Sequence, residues 1–289
     1  MIGKSELVLE FYKTNIHRGV FCFGKYDYSN SEPYSALMEA FQNFCSDLLM
    51  RDKAIIANYK YRIIEAVGDE GKLLLGAMNN LHMIIGEQPV IAECNGQIAK
   101  NRFNYVFLKF IKAICSVGAP LIIVLEDLQW LDSASYNFIS ELITDKSYGK
   151  NLILIGTYRE SEISNDHMVT CLIQKIKQQN VNLTTIKVAN LDEGDINEVL
   201  SDSLSCTPFE SYPLTALVLK KTNGNPFFTN QLLMSLHEQG LIYPCGNTCK
   251  WKWNDTIFDE VDIAESVLEL IRKKMLSFDN LTLTALKVM

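Results

Sequence analysis

At 289 residues, with 48% apolar and 21% charged side chains, the chain is long enough for one large or two to three modest domains and has the composition of a folded globular protein. A formal net charge of −7 argues against the basic footprint of a duplex-binding protein, so nucleic acid is not the expected partner. The longest apolar run, residues 119–125, is far short of the roughly 20 residues of a membrane span, and Lys4 and Glu6 break the N-terminus where a secretory signal would be apolar. Eight irregularly spaced cysteines indicate reduced thiols in a cytoplasmic protein. Cys245 and Cys249, in "CGNTC", lack a second pair at zinc spacing and read as loop thiols without metal.

In chain order, Gly3, Lys4 and Ser5 stand at the mouth of a helix that runs from Ser5 to about His17. "GVFCFGKYD" (19–27) follows as a strand, and Pro33 starts a second helix through Leu37, Phe41, Phe44 and Leu48. Residues 52–117 read as mainly helical. "LIIVLED" (121–127) and "NLILIGTYR" (151–159) are apolar on both faces, as buried parallel strands are. "TTIKVANL" (184–191) reads as a fourth strand. The strand signal then stops. "LDEGDINEVLSDSL" is a helix with acids in its first turn, where they complement the helix dipole, and a helix, a Gly-Asn-Pro turn and another helix follow to about residue 240. "LIYPCGNTCKWKWN" suggests a hairpin around a Gly-Asn turn. Ile263, Val267, Leu270, Ile271 and Met275 recur at helical spacing, and "LTLTALKVM" opens a helix that the chain end cuts off. Strands alternating with helices predict an α/β domain with a parallel sheet.

The chemistry-bearing segments lie at the ends of these elements. An apolar strand ending in two adjacent carboxylates, Glu126 and Asp127, suits a nucleotide-hydrolysing site. One acid helps to hold magnesium and its neighbour orients the attacking water. "GKS" carries the back half of a phosphate loop: a backbone nest at Gly3, a phosphate cation at Lys4 and a metal-binding hydroxyl at Ser5. Arg159 ends a strand on the edge where ligands gather in open α/β sheets, and can sense phosphate there. "KTNGNPFF" is a tight turn in which Gly224 permits unusual backbone angles and Pro226 fixes one.

Taken together, "IGKSELV", "LIIVLEDLQWLDSASYNFISEL", "LILIGTYRESEI" and "KTNGNPFFTNQLLMSLHEQGLI" resemble the Orc1-like AAA ATPase domain of the STAND signalling ATPases. The version found in multi-domain serine/threonine and histidine kinases and in soluble adenylyl cyclases is the most similar. The resemblance implies a P-loop ATPase core over 1–190, a helical lid over 191–240 and the start of a winged-helix-like domain over 241–289. It implies ATP and Mg2+ as cofactors, Lys4 and Ser5 on phosphate and metal, Glu126 with Ser5 at the metal, and Asp127, Glu126 and Arg159 in catalysis. Gly224 and Pro226 would approach the nucleotide. The implied role is an ATP/ADP-dependent switch within a larger signalling protein, partnered by its kinase or cyclase domains. Glu126 stands where the general pattern prefers Asp, and the front of the loop and its strand do not precede Gly3. These departures give the expectation that the chain is a fragment whose lost strand lies between "LIIVLED" and "NLILIGTYR". The alternative is a non-catalytic interaction domain that keeps the fold without nucleotide.

Overall fold

The computed structural model describes residues 3–29, 32–92, 94–148, 151–245 and 251–253. One compact unit is Ser5–Thr185; a second takes in Lys4 and the described residues from Ile186 on.

In the first unit, runs rich in β-branched and aromatic side chains make β1 (Val20–Lys25), β2 (Leu121–Glu126) and β3 (Leu152–Gly156). They form a parallel sheet in the order β1-β2-β3. Lys25 is in register with Glu126, and Leu125 with Gly156. The period of two divides β2 between two cores. Leu121, Ile123 and Leu125 enter the larger core, whereas Ile122 and Val124 enter a smaller one with Val8 and Phe21. The helix α1 (Lys4–Asn15) closes the smaller core, its Tyr12 lying edge-on to Phe21 and Phe23 at 5.1 and 5.2 Å between ring centroids.

Over the opposite face pack α2 (Ser35–Leu49), α3 (Lys53–Val67), α4 (Lys72–Leu75), α5 (Leu81–Ile85), α6 (Gly96–Cys115), α7 (Ser133–Thr144) and α8 (Met168–Gln178). At their centre Phe41, Phe107, Phe110 and Phe138 are completely buried, and Phe107 stacks on Phe138 at 4.5 Å. Each such ring contributes roughly 1.5–3 kcal/mol through area burial.

The contact between β1 and α2 sets the height of the strand end. A Cβ at Gly24 would stand 1.8 Å from the Ala36 carbonyl oxygen, so only glycine lets the two backbones meet. Side chains of α2 then satisfy the outer edge of β1: Asn43 Nδ2 donates to the Phe23 carbonyl at 3.3 Å, and the Lys25 N–H donates to Glu39 Oε2 at 2.9 Å.

The second unit packs α9 (Glu193–Leu204), α10 (Pro208–Thr222) and α11 (Pro226–Glu238) around Ile196, Leu200, Leu214, Val218, Leu232 and Leu236. Reciprocal capping boxes start two of them, Asp192 with Asp195 and Thr207 with Glu210. The antiparallel pair β4 (Ile242–Pro244) and β5 (Trp251–Trp253) matches the expected hairpin strands. The hairpin's Gly-Asn turn, Cys249, the helix expected at 263–275 and "LTLTALKVM" lie outside the described residues.

Three expectations are overturned. The strands "LIIVLED" and "NLILIGTYR" pair directly, from Leu121↔Leu152 to Leu125↔Gly156, so no strand lies between them. Each is a complete hydrogen-bonding neighbour for the other, and α7 makes the short parallel crossover. Second, β3 is not buried on both faces. It is the last strand of the described sheet, and Ile153 is 44% exposed. Third, residues 184–191 form no strand. Ile186 is 72% exposed, and a strand needs a neighbouring edge to satisfy its backbone groups. Leu191 instead donates its N–H to the Gly224 carbonyl at 2.8 Å.

Candidate functional site

A parallel sheet gathers the carboxyl ends of all its strands on one edge, which is where ligands bind in open α/β folds. Here that edge brings together Lys25 from β1, Glu126 from β2 with Asp127 just beyond it, and Thr157 and Arg159 beyond β3. The ladder runs past the strand ends and fixes them. The Tyr26 N–H donates to the Glu126 carbonyl at 3.0 Å, the Thr157 N–H to that of Leu125 at 3.0 Å and the Leu128 N–H to that of Thr157 at 2.8 Å.

Asp127 is the hub. Its backbone is left-handed, with φ 56° and ψ 47°, a region that aspartate enters more readily than most residues and that is common at functional turns. The turn swings its carboxylate across the ends of β1 and β3. Oδ2 lies 3.5 Å from Lys25 Nζ, and Oδ1 lies 4.0 Å from Arg159 Nε. Gln129 Nε2 donates to Oδ1 at 3.0 Å. The Asp127 side chain is 16% exposed, so these partners compensate a largely desolvated charge. Glu126, next to it, forms no side-chain hydrogen bond or ion pair among the described residues.

Gln129 ties the acid to the loop after β3. Its Oε1 accepts from the Arg159 N–H at 3.2 Å, and its carbonyl lies 3.1 Å from His167 Nε2. His167 Nδ1 accepts from the Val169 N–H, which places the imidazole proton on Nε2, donating to Gln129. The Arg159 guanidinium is held by Glu162 at 2.7 Å and lies 5.6 Å from the centre of the Trp130 ring. The rest of the motif is structural: Asp132 caps α7, accepting from Ala134 and Ser135 N–H at 2.9 Å each.

Beside the hub is a cleft of about 320 Å³ lined by Tyr26, Asp27, Tyr28, Ser35, Trp130, Leu131 and Asp132. Among the described residues the buried Tyr26 hydroxyl has no hydrogen-bond partner of good geometry; neighbouring Ser135 gives its proton to Asp132 at 2.5 Å. Burial pushes the Tyr26 phenol well above its ordinary range. The Ser29 N–H and hydroxyl, each donating at 2.9 Å, hold the Asp27 carboxyl below the usual carboxylate range.

The other expected residues sit elsewhere along the chain. Gly3 has φ +88° with open space where a Cβ would be, and Lys4 and Ser5 are the first residues of α1. Gly224 and Pro226 belong to the second unit. Gly224 has φ +72°, Asn225 caps α11 by accepting from Phe227 N–H at 3.1 Å and Phe228 N–H at 3.3 Å, and Pro226 opens that helix. A Cβ on Gly224 would stand 2.0 Å from the Leu191 carbonyl oxygen, so the local packing alone requires glycine there.

Lys25, Gln129, Trp130 and Thr157 escaped the sequence reading. The signal for Lys25 was available: it ends a strand parallel to "LIIVLED", and parallel strands end on the same edge.

Oxygen donors of this kind fit magnesium. Among the described residues no group of three or more His, Cys, Asp and Glu converges on a metal position. Glu126 and Asp127 carry hard carboxylate oxygens of the kind that Mg2+ takes together with phosphate and water.

The fold and this edge define a mixed α/β protein with a core of the P-loop NTPase kind. The family model of the AAA ATPase domain matches residues 2–155, just over half of the chain, and the chain belongs to that family. It is also similar to Hybrid signal transduction histidine kinase G of Dictyostelium discoideum, with 23% identity over 342 aligned positions. That alignment covers 96% of this chain and 10% of the kinase, so the chain spans about a tenth of the relative's length. No solved structure matches the chain. Among the described residues, no helix is long and apolar enough to cross a membrane.

Proposed function

We infer that the chain is an ATP-binding regulatory module of a larger cytoplasmic signalling protein, a STAND-type switch of the Orc1-like kind. The observation that carries this reading is the convergence of Glu126, Asp127, Lys25 and Arg159 on the carboxyl edge of a parallel sheet in a member of the AAA ATPase domain family. The similarity to a histidine kinase supports a signalling context, with kinase or cyclase domains as partners.

In this reading the amides after Gly3 and the Lys4 ammonium bind the phosphates of ATP, and Ser5 and Glu126 hold Mg2+. The metal supplies charge neutralisation of the phosphates. Asp127 orients the attacking water, and Arg159, fixed against Trp130 and Glu162, meets the terminal phosphate. Residues 191–240, with the Gly224–Pro226 turn, form the lid and 241–289 the winged-helix-like piece, whose angles report nucleotide state. Slow hydrolysis suits such a switch.

A second reading has one observation in its favour: both oxygens of Asp127 are already engaged by Lys25, Gln129 and Arg159. A non-catalytic interaction domain would keep that arrangement permanently. Titration with a fluorescent ATP analogue separates the two. The switch reading expects Mg2+-dependent binding that Lys4→Ala weakens at least tenfold. Binding absent, or unaffected by Lys4→Ala, leaves the interaction domain.

A further inference from the structure

The geometry points to Lys25 as a resident cation that neutralises the acid end of the sheet until a divalent metal ion displaces it. This rests on the metal–nucleotide reading above and adds a regulatory step to it.

Glu126 and Asp127 put two negative charges at adjacent positions. Two cations stand beside Asp127, and they differ in commitment. Arg159 is bound elsewhere: its Nη1 is 2.7 Å from Glu162, against 4.0 Å from Nε to Asp127, and its guanidinium lies on Trp130. Lys25 has Asp127 as its one ion-pair partner among the described residues, at 3.5 Å. Its single charge against two carboxylates leaves one negative charge, and a divalent ion in its place leaves none.

The side chain is also built to leave. It is 56% exposed, and its hydrated ammonium rides on a flexible stem. The backbone beneath it stays fixed, through the register with Glu126 and the Lys25 N–H bond to Glu39 at 2.9 Å. Departure of the lysine therefore does not disturb the strand. The exposed carboxylate of Asp27, which already feels the Lys25 charge, gives the freed ammonium an acid to turn to. Asp127, at 16% exposure, cannot hold its charge uncompensated as easily. Lysine on Asp127 and metal on Glu126 thus alternate at one pair of adjacent acids, and release of the metal restores the closed acid end. In this role Lys25 is a positioning residue.

The test uses Mn2+ alone as the probe, titrated into the 289-residue chain and followed by the loss of its free electron paramagnetic signal. Lys25→Met is expected to bind Mn2+ about fivefold more tightly than the parent, the factor set by an exposed ion pair near the top of its usual range. Lys25→Arg, which keeps the charge, and Lys13→Met, which removes a remote exposed lysine, are expected to bind as the parent does. Adding Asp127→Asn to Lys25→Met is expected to abolish the gain. Equal affinities for parent and Lys25→Met, or an equal gain from Lys13→Met, overturn the Lys25 assignment and leave the nucleotide reading standing. No Mn2+ binding by either chain overturns the Lys25 assignment alone, because the nucleotide reading completes the metal's shell with phosphate. Binding by Lys25→Met alone supports the assignment in its strongest form.

Discussion

Replacing Gly224 by alanine separates a structural demand from a nucleotide role for the turn. The residue has φ +72°, and an added Cβ would lie 2.0 Å from the Leu191 carbonyl oxygen and 3.1 Å from its carbon. The left-handed conformation alone costs an alanine about 1–2 kcal/mol. The clash is with backbone, so it is relieved only by moving the Leu191 and Gly224 chains apart. That move breaks the Leu191 N–H bond to the Gly224 carbonyl, 2.8 Å, and strains the Asn190 Nδ2 bond to the Asn223 carbonyl, also 2.8 Å. Each bond is worth about 1 kcal/mol net, so Gly224→Ala is expected to destabilise the second unit by about 3 kcal/mol. Trp251 and Trp253 pack against the hydrophobic core of that unit, so urea unfolding followed by tryptophan fluorescence reads it, with Trp130→Phe removing the third signal. The expected result is a lower midpoint with an unchanged slope. A loss below about 1 kcal/mol would refute the packing argument and return the glycine to a purely ligand-directed role.

The remaining predictions concern the first unit. Phe107→Ala empties the stack with Phe138, and truncation of a wholly buried ring of this kind costs about 3–5 kcal/mol, measured by denaturant unfolding; a cost near 1 kcal/mol would mean that the core collapses around the gap. Alkaline pH is expected to weaken the fold through its buried thiols. Burial raises Cys115 to about 11 and Cys45 to about 12 from the ordinary 9.0. In the unfolded chain these thiols ionise first, so their contribution is intact below about pH 9 and is lost as pH rises toward 11 and then 12. Urea midpoints measured from pH 8 to 10.5 at constant ionic strength should fall, less steeply in Cys45→Ala; identical slopes in the two proteins would contradict this assignment.

Much of the fold was legible because periodicity reports burial. The apolar run of β2 and the three-to-four spacing of α2 each point to one solution, and the acids after Leu191 marked a helix start by complementing the helix dipole. Strand order was not legible, since the side chains of "LIIVLED" and "NLILIGTYR" are alike and nothing in either names its neighbour. The β-rich composition of residues 184–191 promised a strand, but composition reports side-chain propensity and not a partner edge. At the site, the acids and Arg159 stood out by type. Lys25 did not, because a strand-end lysine resembles any solvated one. The left-handed turn at Asp127, which aims the carboxylate at both neighbouring strand ends, has no sequence signature in a residue other than glycine. Gly224 was singled out for the right backbone reason, and its neighbour proved to be Leu191.

Hydrogen–deuterium exchange with and without Mg2+ and ATP tests most directly whether nucleotide binds at this edge. The amides of Leu128, bonded to Thr157, and of Arg159, bonded to Gln129, report on the two loops that hold Asp127 and Arg159. The expected result is slower exchange in peptides covering 125–130 and 157–160 together with the start of α1, and its loss in Lys4→Ala. Unchanged exchange in those three segments, at ATP concentrations that saturate a fluorescent analogue's site, would contradict the assignment of the site to the carboxyl edge of the sheet.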